Sequence, residues 1–453
     1  MTTSTSGAAA RSLATSGLGV AVLCMFLNLV DGFDLLVISF VLPTLPDGFA
    51  TTFQQGLLVS IALVGMAVGA IGLARFADRY GRRLIALVGI GVNLGGLVLS
   101  SLAPNVEVMM LARFITGAGI GMISVVIVVA AQESAAPKQR NLATGLVMVG
   151  YPLGSVLAAV STDAIRSAFG ENWQAMYLTG AVLALIAFVA AHLGLPESVK
   201  KSAKRPVKNS ATASASLPKA PSLLGRELVV VTVLLCVGYM TVSGVFNFAA
   251  GLTPAFMKAE FLKGLDPVAK AAATSEAGDI AQRVGLALSL GCLVGAVSLA
   301  IVGLVVSATR LAWIYSVIGV VSMIGFAGAF PGAGERPGAQ MYVFAFALGV
   351  GVFGGISSFS ALVPAAYPVS ARAKGYGAML GFGRAGAIAA PLITAWAVAK
   401  VDAQTLYNLT NIGLVISLCC AVALVAVMRS RATATRPVQP SDAVASMATP
   451  AAG

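Results

Sequence analysis

Charge is the scarcest property of this sequence. Asp, Glu, Lys and Arg together make up 10% of its 453 residues, where soluble domains carry about 25%. A water-facing surface over most of the chain is therefore excluded. There is one histidine, His192, and the five cysteines (Cys24, Cys236, Cys292, Cys419 and Cys420) all fall inside apolar runs. Neither a metal-ligand spacing nor a disulfide framework can be assembled from them, and they read as small packing residues. No cofactor motif is present, and no His/Cys/carboxylate cluster or nucleophile–base pair supports a membrane-bound enzyme.

What the chain has is apolar length. Hydrophobic residues make up 58% of it, and the mean hydropathy is +0.91. In lipid every backbone polar group must be satisfied internally, which leaves helices or a closed barrel. Barrel strands alternate polar and apolar residues over about 10 positions. The runs here are continuous and long enough to span as helices, at about 20 residues each. We read twelve, near 18–43, 54–75, 83–103, 107–131, 140–162, 173–195, 227–256, 282–306, 311–330, 340–364, 375–399 and 405–428. The first run contains two aspartates and no cleavage site, so it is a span and not a signal peptide.

The expected fold is an all-α membrane protein, with twelve transmembrane helices in two six-helix halves. A linker rich in Lys, Ser, Ala and Pro, residues 196–226, divides the spans six and six. The halves are 18–195 and 227–428, flanked by disordered tails at 1–17 and 429–453. A segment at 257–281 is long and charged for an outer loop; a surface helix there is left open, and no role is assigned to it.

The net charge of +12 could indicate nucleic acid, but its distribution argues otherwise. Twenty of the 29 Lys and Arg residues fall on the side of the tails and linker, seven fall opposite, and Arg113 and Arg384 lie inside spans. By the positive-inside rule, both termini and the linker are cytoplasmic. The charge is an orientation signal, and the surrounding partner is lipid.

Two stretches carry a family signature. "ARFADRYGRR", 74–83, joins spans two and three, and its Asp78, Arg79, Gly81, Arg82 and Arg83 resemble the major facilitator superfamily's loop motif G-x-x-x-D-R-x-G-R-R. Ala74 stands where the family has its first glycine. Asp78 can pair with arginines or cap a helix, and Gly81 permits a tight turn. "RFITGAGIGMI", 113–123, resembles the fourth-span pattern R-x-x-x-G-x-G-x-G. A buried arginine is costly unless paired or hydrated, and the small residues let a neighbouring helix approach closely. The same glycines resemble a dinucleotide loop, but with no strand before them that reading fails.

Internal similarity supports two related halves. Arg140 and Gly145 after span four are echoed by Arg372 and Gly377 before span eleven. Arg310 is a remnant of the loop motif in the second half. "GYPLG", 150–154, lies where drug–proton antiporters of the superfamily carry a Gly-Pro pair; Tyr151 interrupts it, which argues against antiport.

Asp31 and Asp34 in "NLVDGFDLLV" share a helix face with Asn28. Two close carboxylates at low dielectric should not both stay ionised, which makes a natural proton acceptor. A structural reading competes, in which the carboxylates pair with a buried arginine and hold the bundle together. D-G-F-D in the first span resembles the aromatic acid:proton symporter family. That family also has an arginine in span four, a glutamate at its end, an arginine before span eleven and one within it; this chain offers Arg113, Glu133, Arg372 and Arg384.

The resemblance implies a proton-coupled carrier importing benzoates, protocatechuate, phenylpropionates, muconate or a related organic acid, as a monomer in the inner membrane. Asp31 and Asp34 take the proton. Arg384, with Arg113, holds the carboxylate, since guanidinium binds carboxylate in a bidentate way. Phe33, Phe246, Phe353, Phe382 and the polar Asn247 line the ring site, with Tyr239, Phe248 and Phe359 as further ring candidates. The loop motif, with Glu133, Arg140 and Arg372, stabilises one of two alternating states through ion pairs. A single coupled charge at 100 mV is worth about 2.3 kcal/mol, or roughly fiftyfold accumulation. An exporter, a carrier of another organic anion or a sugar, and a nutrient sensor on a transporter scaffold are the alternatives.

Overall fold

The computed structural model describes residues 17–434 except 47, 74–75, 77–79, 137–138, 171, 197–222, 224, 226–227, 304, 333, 369–370 and 398–399. Asp78 and Arg79, nearly all of the linker, the first 16 residues and those after 434 therefore lie outside the described residues, as does the side chain of Arg140.

Twelve helices follow in order: α1 (Gly17–Val41), α2 (Thr52–Val68), α3 (Arg82–Ser101), α4 (Val106–Ser134), α5 (Arg140–Phe169), α6 (Trp173–Gly194), α7 (Val229–Phe261), α8 (Pro267–Val302), α9 (Ala308–Gly328), α10 (Ala339–Ala366), α11 (Arg372–Ala397) and α12 (Ala403–Ala434). Each is long and apolar enough to cross a membrane. α2 runs on as a π-helical turn over Gly69–Leu73.

The chain ends several of these helices with polar caps where they leave the apolar layer. Thr51 and Gln54 form a reciprocal capping box at the start of α2, and Asn105 caps α4 through the Val108 amide. Each cap satisfies amides that have no partner inside the helix.

The segment 257–281 corrects the expectation of a long outer loop. α7 continues to Phe261 and α8 already begins at Pro267. Asp266 accepts from the Val268 and Ala269 amides, both at 2.9 Å, and Pro267 takes the first helical position. Aspartate followed by proline is a strong helix start, so the charged residues here decorate a helix that extends beyond the apolar layer. At the other end of the chain α12 continues to Ala434, past the expected boundary at 428.

Close helix crossings use glycine where a side chain would collide. Along α4 the motif glycines divide the work. A Cβ on Gly117 or Gly121 would overlap the Ala62 and Met66 carbonyls of α2, and one on Gly119 would overlap the Gly89 carbonyl of α3. α1 and α5 meet in the same way at Gly32, Gly150 and Gly154. Without a hydrophobic force between helices in lipid, such backbone approach is a main source of packing energy. Gly154→Leu is expected to force α1 from α5 and to leave most of the protein aggregated after extraction. Size-exclusion profiles in detergent measure this, and a wild-type monodisperse fraction would contradict it.

α1–α6 pack mainly among themselves, as do α7–α12, and the two groups touch through α2 with α11, α5 with α8 and α1 with α7. One end of the bundle carries the turn at Gly81 and is here called the motif end; the opposite end is the far end. The far end is closed across the two groups. Ser39 donates to the Ala250 carbonyl at 2.6 Å, Ser60 to Ile388 at 2.9 Å and Gln282 to Ala159 at 3.0 Å. Ser155 and Ser289 meet at 2.6 Å, and Arg166 pairs with Asp279 at 2.8 Å. Asp279 and Gln282 stand on α8 in and just beyond the segment first read as loop, so that stretch helps close the far end.

Candidate functional site

The helix face that carries Asp31 and Asp34 does not treat them alike. Asp34 is fully enclosed. Arg113 Nη1 donates to its Oδ1 at 2.6 Å, Arg113 Nη2 to its main-chain carbonyl at 3.1 Å, and Asn93 Nδ2 to its Oδ2 at 2.7 Å. Both side chains of the ion pair have zero exposure, and the Tyr177 ring lies 6.0 Å from the guanidinium. Gly119 makes this possible, because α3 can approach α4 closely enough to bring Asn93 over the carboxylate. Both oxygens of Asp34 are thus engaged.

Asp31 lies one turn earlier and is 3% exposed, yet its Oδ1 has no hydrogen-bond partner. A buried unpaired carboxylate oxygen forfeits several kcal/mol and calls for an explanation. The charges that act on it are Asp34 and, from α11 in the other group, Arg384. Arg384 is half-buried and donates to the Met66 carbonyl of α2 at 3.0 Å. Asn28, on the same face, donates to Val147 of α5 at 2.7 Å and so fixes α1 against α5.

Beside this pair lies a small apolar cluster separate from the main core. Leu35, Ala62, Leu63, Ile120 and Ala387 form it, with Tyr151, Met66 and Ile388 against them. These residues come from α1, α2, α4, α5 and α11, so the cluster spans both groups of helices. Tyr151, which packs against this cluster, also stacks on Phe353 of α10, with centroids 6.1 Å apart and planes at 19°. Phe246 of α7 meets Tyr151 at 6.2 Å and Phe353 at 5.7 Å.

The remaining sequence candidates fall elsewhere. Arg113 is consumed by Asp34. Phe33 is wholly buried, against Gly180 of α6 and Leu97 of α3. Phe382 is 54% exposed and takes no part in the cluster. Asn247 is half-buried and donates to Ser243 of its own helix at 2.9 Å. Phe248 packs on Tyr407, 4.9 Å away, in an aromatic core near the far end, and Phe359 lies against Gly238. Tyr151, which the motif 150–154 had singled out but not as a ring candidate, packs against the cluster; Tyr239, whose ring packs against Gly383, is within electrostatic reach of Arg384.

At the motif end Gly81 has φ +97°, a backbone that only glycine adopts without strain. It turns the chain into α3, whose Arg82 pairs with Glu133 of α4. Arg83 donates to the His192 carbonyl of α6. Arg372 donates through Nε to the Tyr367 carbonyl at 3.1 Å, between α10 and α11.

The sequence profile of the Major Facilitator Superfamily matches residues 24–335. The chain belongs to that superfamily. It is therefore a membrane transporter and not an enzyme. Among curated relatives of this major facilitator, a 3-(3-hydroxy-phenyl)propionate transporter of Escherichia coli (strain K12) is 28% identical over 86% of this chain and 87% of its own. A 4-hydroxybenzoate transporter of Pseudomonas putida is 27% identical over 82% and 83%. Of solved structures, a D-xylose-proton symporter superposes with TM-score 0.68 at 16% identity, covering 90% of this chain and 96% of its own. At that identity the likeness establishes the fold alone.

Proposed function

We propose that this major facilitator imports aromatic carboxylates together with a proton, by alternating access across the bacterial inner membrane. It acts as a monomer with its motif end, termini and linker in the cytoplasm. The observation that carries this reading is that three groups from the two halves lie near one another inside the bundle. They are a buried carboxylate with a free oxygen (Asp31), a guanidinium from the other half (Arg384) and an apolar cluster walled by aromatic rings. Intramembrane ionisable groups that both halves contribute mark a substrate or proton path. The aromatic-acid relatives favour the same substrate chemistry.

In this reading Arg384 receives the carboxylate, Asp31 carries the proton, and the cluster with Tyr151, Phe246 and Phe353 takes the ring. Asp34 and Arg113, bonded to each other and to Asn93, hold the first half together. The orientation follows from the basic residues, which gather at the motif end. The far-end bonds from Ser39, Ser60, Ser155 and Arg166 then form the outer gate, which breaks when the site faces outward.

The test is uptake of radiolabelled benzoates and phenylpropionates into proteoliposomes under an inward proton gradient. Arg384→Ala is expected to lower uptake efficiency about a hundredfold, the value of a charge-assisted pair of roughly 3 kcal/mol. Arg384→Lys recovers only part of it, because an ammonium cannot grip a carboxylate in a bidentate way. Accumulation of a sugar in place of an acid would overturn the reading. So would aromatic acids that bind but never accumulate, the behaviour of a sensor.

A further inference from the structure

We infer that Tyr151 is the specificity-determining residue of the ring site and that its phenol hydroxyl selects acids bearing a hydroxyl on the ring. This rests on the proposed transport of aromatic carboxylates and says which of them the site favours.

The position of Tyr151 is set by backbone contacts. Its main chain lies against Gly32, between Asp31 and Phe33, where any Cβ on Gly32 would overlap the Tyr151 carbonyl. Gly150 and Gly154 press against Met25 and Leu29 of α1 in the same manner. The crossing therefore fixes Tyr151 relative to Asp31 within the first half. The side chain reaches the second half, where it stacks on Phe353 and meets Phe246. The G-Y-P-L-G motif thus supplies two glycines for the crossing and one tyrosine for the contact between halves.

Tyr151 has a polar end in an apolar wall. Its cluster partners Leu35, Leu63, Ile120 and Ile388 offer no hydrogen-bonding side chain, and among the described residues none hydrogen-bonds its hydroxyl. Tyrosine hydroxyls in apolar surroundings normally find a partner. Electrostatically it lies within reach of Asp31, whose Oδ1 is also unpaired and whose side chain is 3% exposed. Two unpaired oxygens therefore stand on the first-half side of a site whose cation, Arg384, comes from the second half. An aromatic acid with its carboxylate on Arg384 and its ring along Phe353 presents the substituent remote from the carboxylate to Tyr151. A ring hydroxyl can donate to one of these oxygens and accept from the tyrosine. An unsubstituted ring covers the phenol and leaves it without a hydrogen-bond partner, which is the arrangement that discriminates most strongly between such analogues.

The experiment compares matched pairs in proteoliposomes: 4-hydroxybenzoate with benzoate, and 3-(3-hydroxyphenyl)propionate with 3-phenylpropionate. The readout is the ratio of kcat/KM within each pair. Wild type is expected to favour the hydroxylated member of at least one pair by about tenfold or more. Tyr151→Phe keeps the ring face and should bring that ratio to within about threefold of one. Phe353→Leu removes a ring wall without touching the hydroxyl and should lower both members together, leaving the ratio in place. An unchanged ratio in Tyr151→Phe, or a wild type without preference, overturns the assignment while uptake of both acids leaves the transport reading standing. Uptake of neither member of either pair overturns both. Because the readout is a ratio within one preparation, partial loss of folded protein does not affect it.

Discussion

Asp31→Asn should abolish proton-driven accumulation while labelled substrate still exchanges with unlabelled substrate across the membrane. Asparagine keeps the size and polarity of aspartate, so the packing around α1 survives, but it cannot pick up and release a proton. Exchange needs only the loaded carrier to alternate between states, whereas net accumulation needs the proton to travel with the substrate and the empty carrier to return. The magnitude follows from stoichiometry. With Asp34 engaged on both oxygens by Arg113 and Asn93, the proposed mechanism makes Asp31 the single proton carrier, so that one proton moves with one carboxylate. That pair is electrically neutral. A gradient of one pH unit, alkaline inside, is worth about 1.4 kcal/mol and should give wild type about tenfold accumulation. A valinomycin-imposed potential of about 100 mV, negative inside, should add nothing, although it would contribute roughly fiftyfold if a second proton moved. The variant should fall to no accumulation under either force. Accumulation by Asp31→Asn, or by wild type on potential alone, would refute the assignment.

Much of the architecture was open to reading because lipid constrains a chain so severely. Twelve continuous apolar runs admit few alternatives to twelve helices. The turn at Gly81 was legible because D-R-x-G-R-R between two spans needs a residue that tolerates positive φ, and the observed φ is +97°. The segment 257–281 reads as a loop, with a surface helix left open, because its charges argue against lipid; the Asp266–Pro267 start shows that the helix is continuous with the eighth span. The inequality of Asp31 and Asp34 was not legible. Residues three apart on a helix count as one face, yet they differ by about 60° in direction. That angle turns Asp34 toward Arg113 within the first half and leaves Asp31 within reach of Arg384 of the second. Which of the two finds a partner depends on how closely α3 and α4 pack, a tertiary fact resting on Gly89 and Gly119. Likewise, periodicity could not tell Phe353, which meets Tyr151 and Phe246, from Phe382, which is exposed, because sequence does not say how a helix is rotated among its neighbours.

The second large effect concerns the ion pair itself. Arg113→Ala leaves the Asp34 carboxylate, and Asp34→Ala the Arg113 guanidinium, at zero exposure without its counter-charge. Removing one member of a buried pair costs about 3–5 kcal/mol, a large part of the stability of an average domain. Both single variants should therefore lose most of their folded yield in detergent, measured as monodisperse protein and as the midpoint of thermal aggregation. The double variant Asp34→Leu with Arg113→Met removes both charges together, and a buried pair replaced by apolar groups of similar volume is often tolerated. It should regain most of the loss. The recovery is incomplete because the Asn93 amide loses its acceptor, a cost of about 1–3 kcal/mol. This double variant also separates the two aspartates by function. If Asp34 serves only to hold α1 against α4, the recovered protein still concentrates substrate on a pH gradient, since Asp31 is intact. If Asp34 itself carries a proton, the protein folds yet concentrates nothing, and the division of labour between the two carboxylates fails.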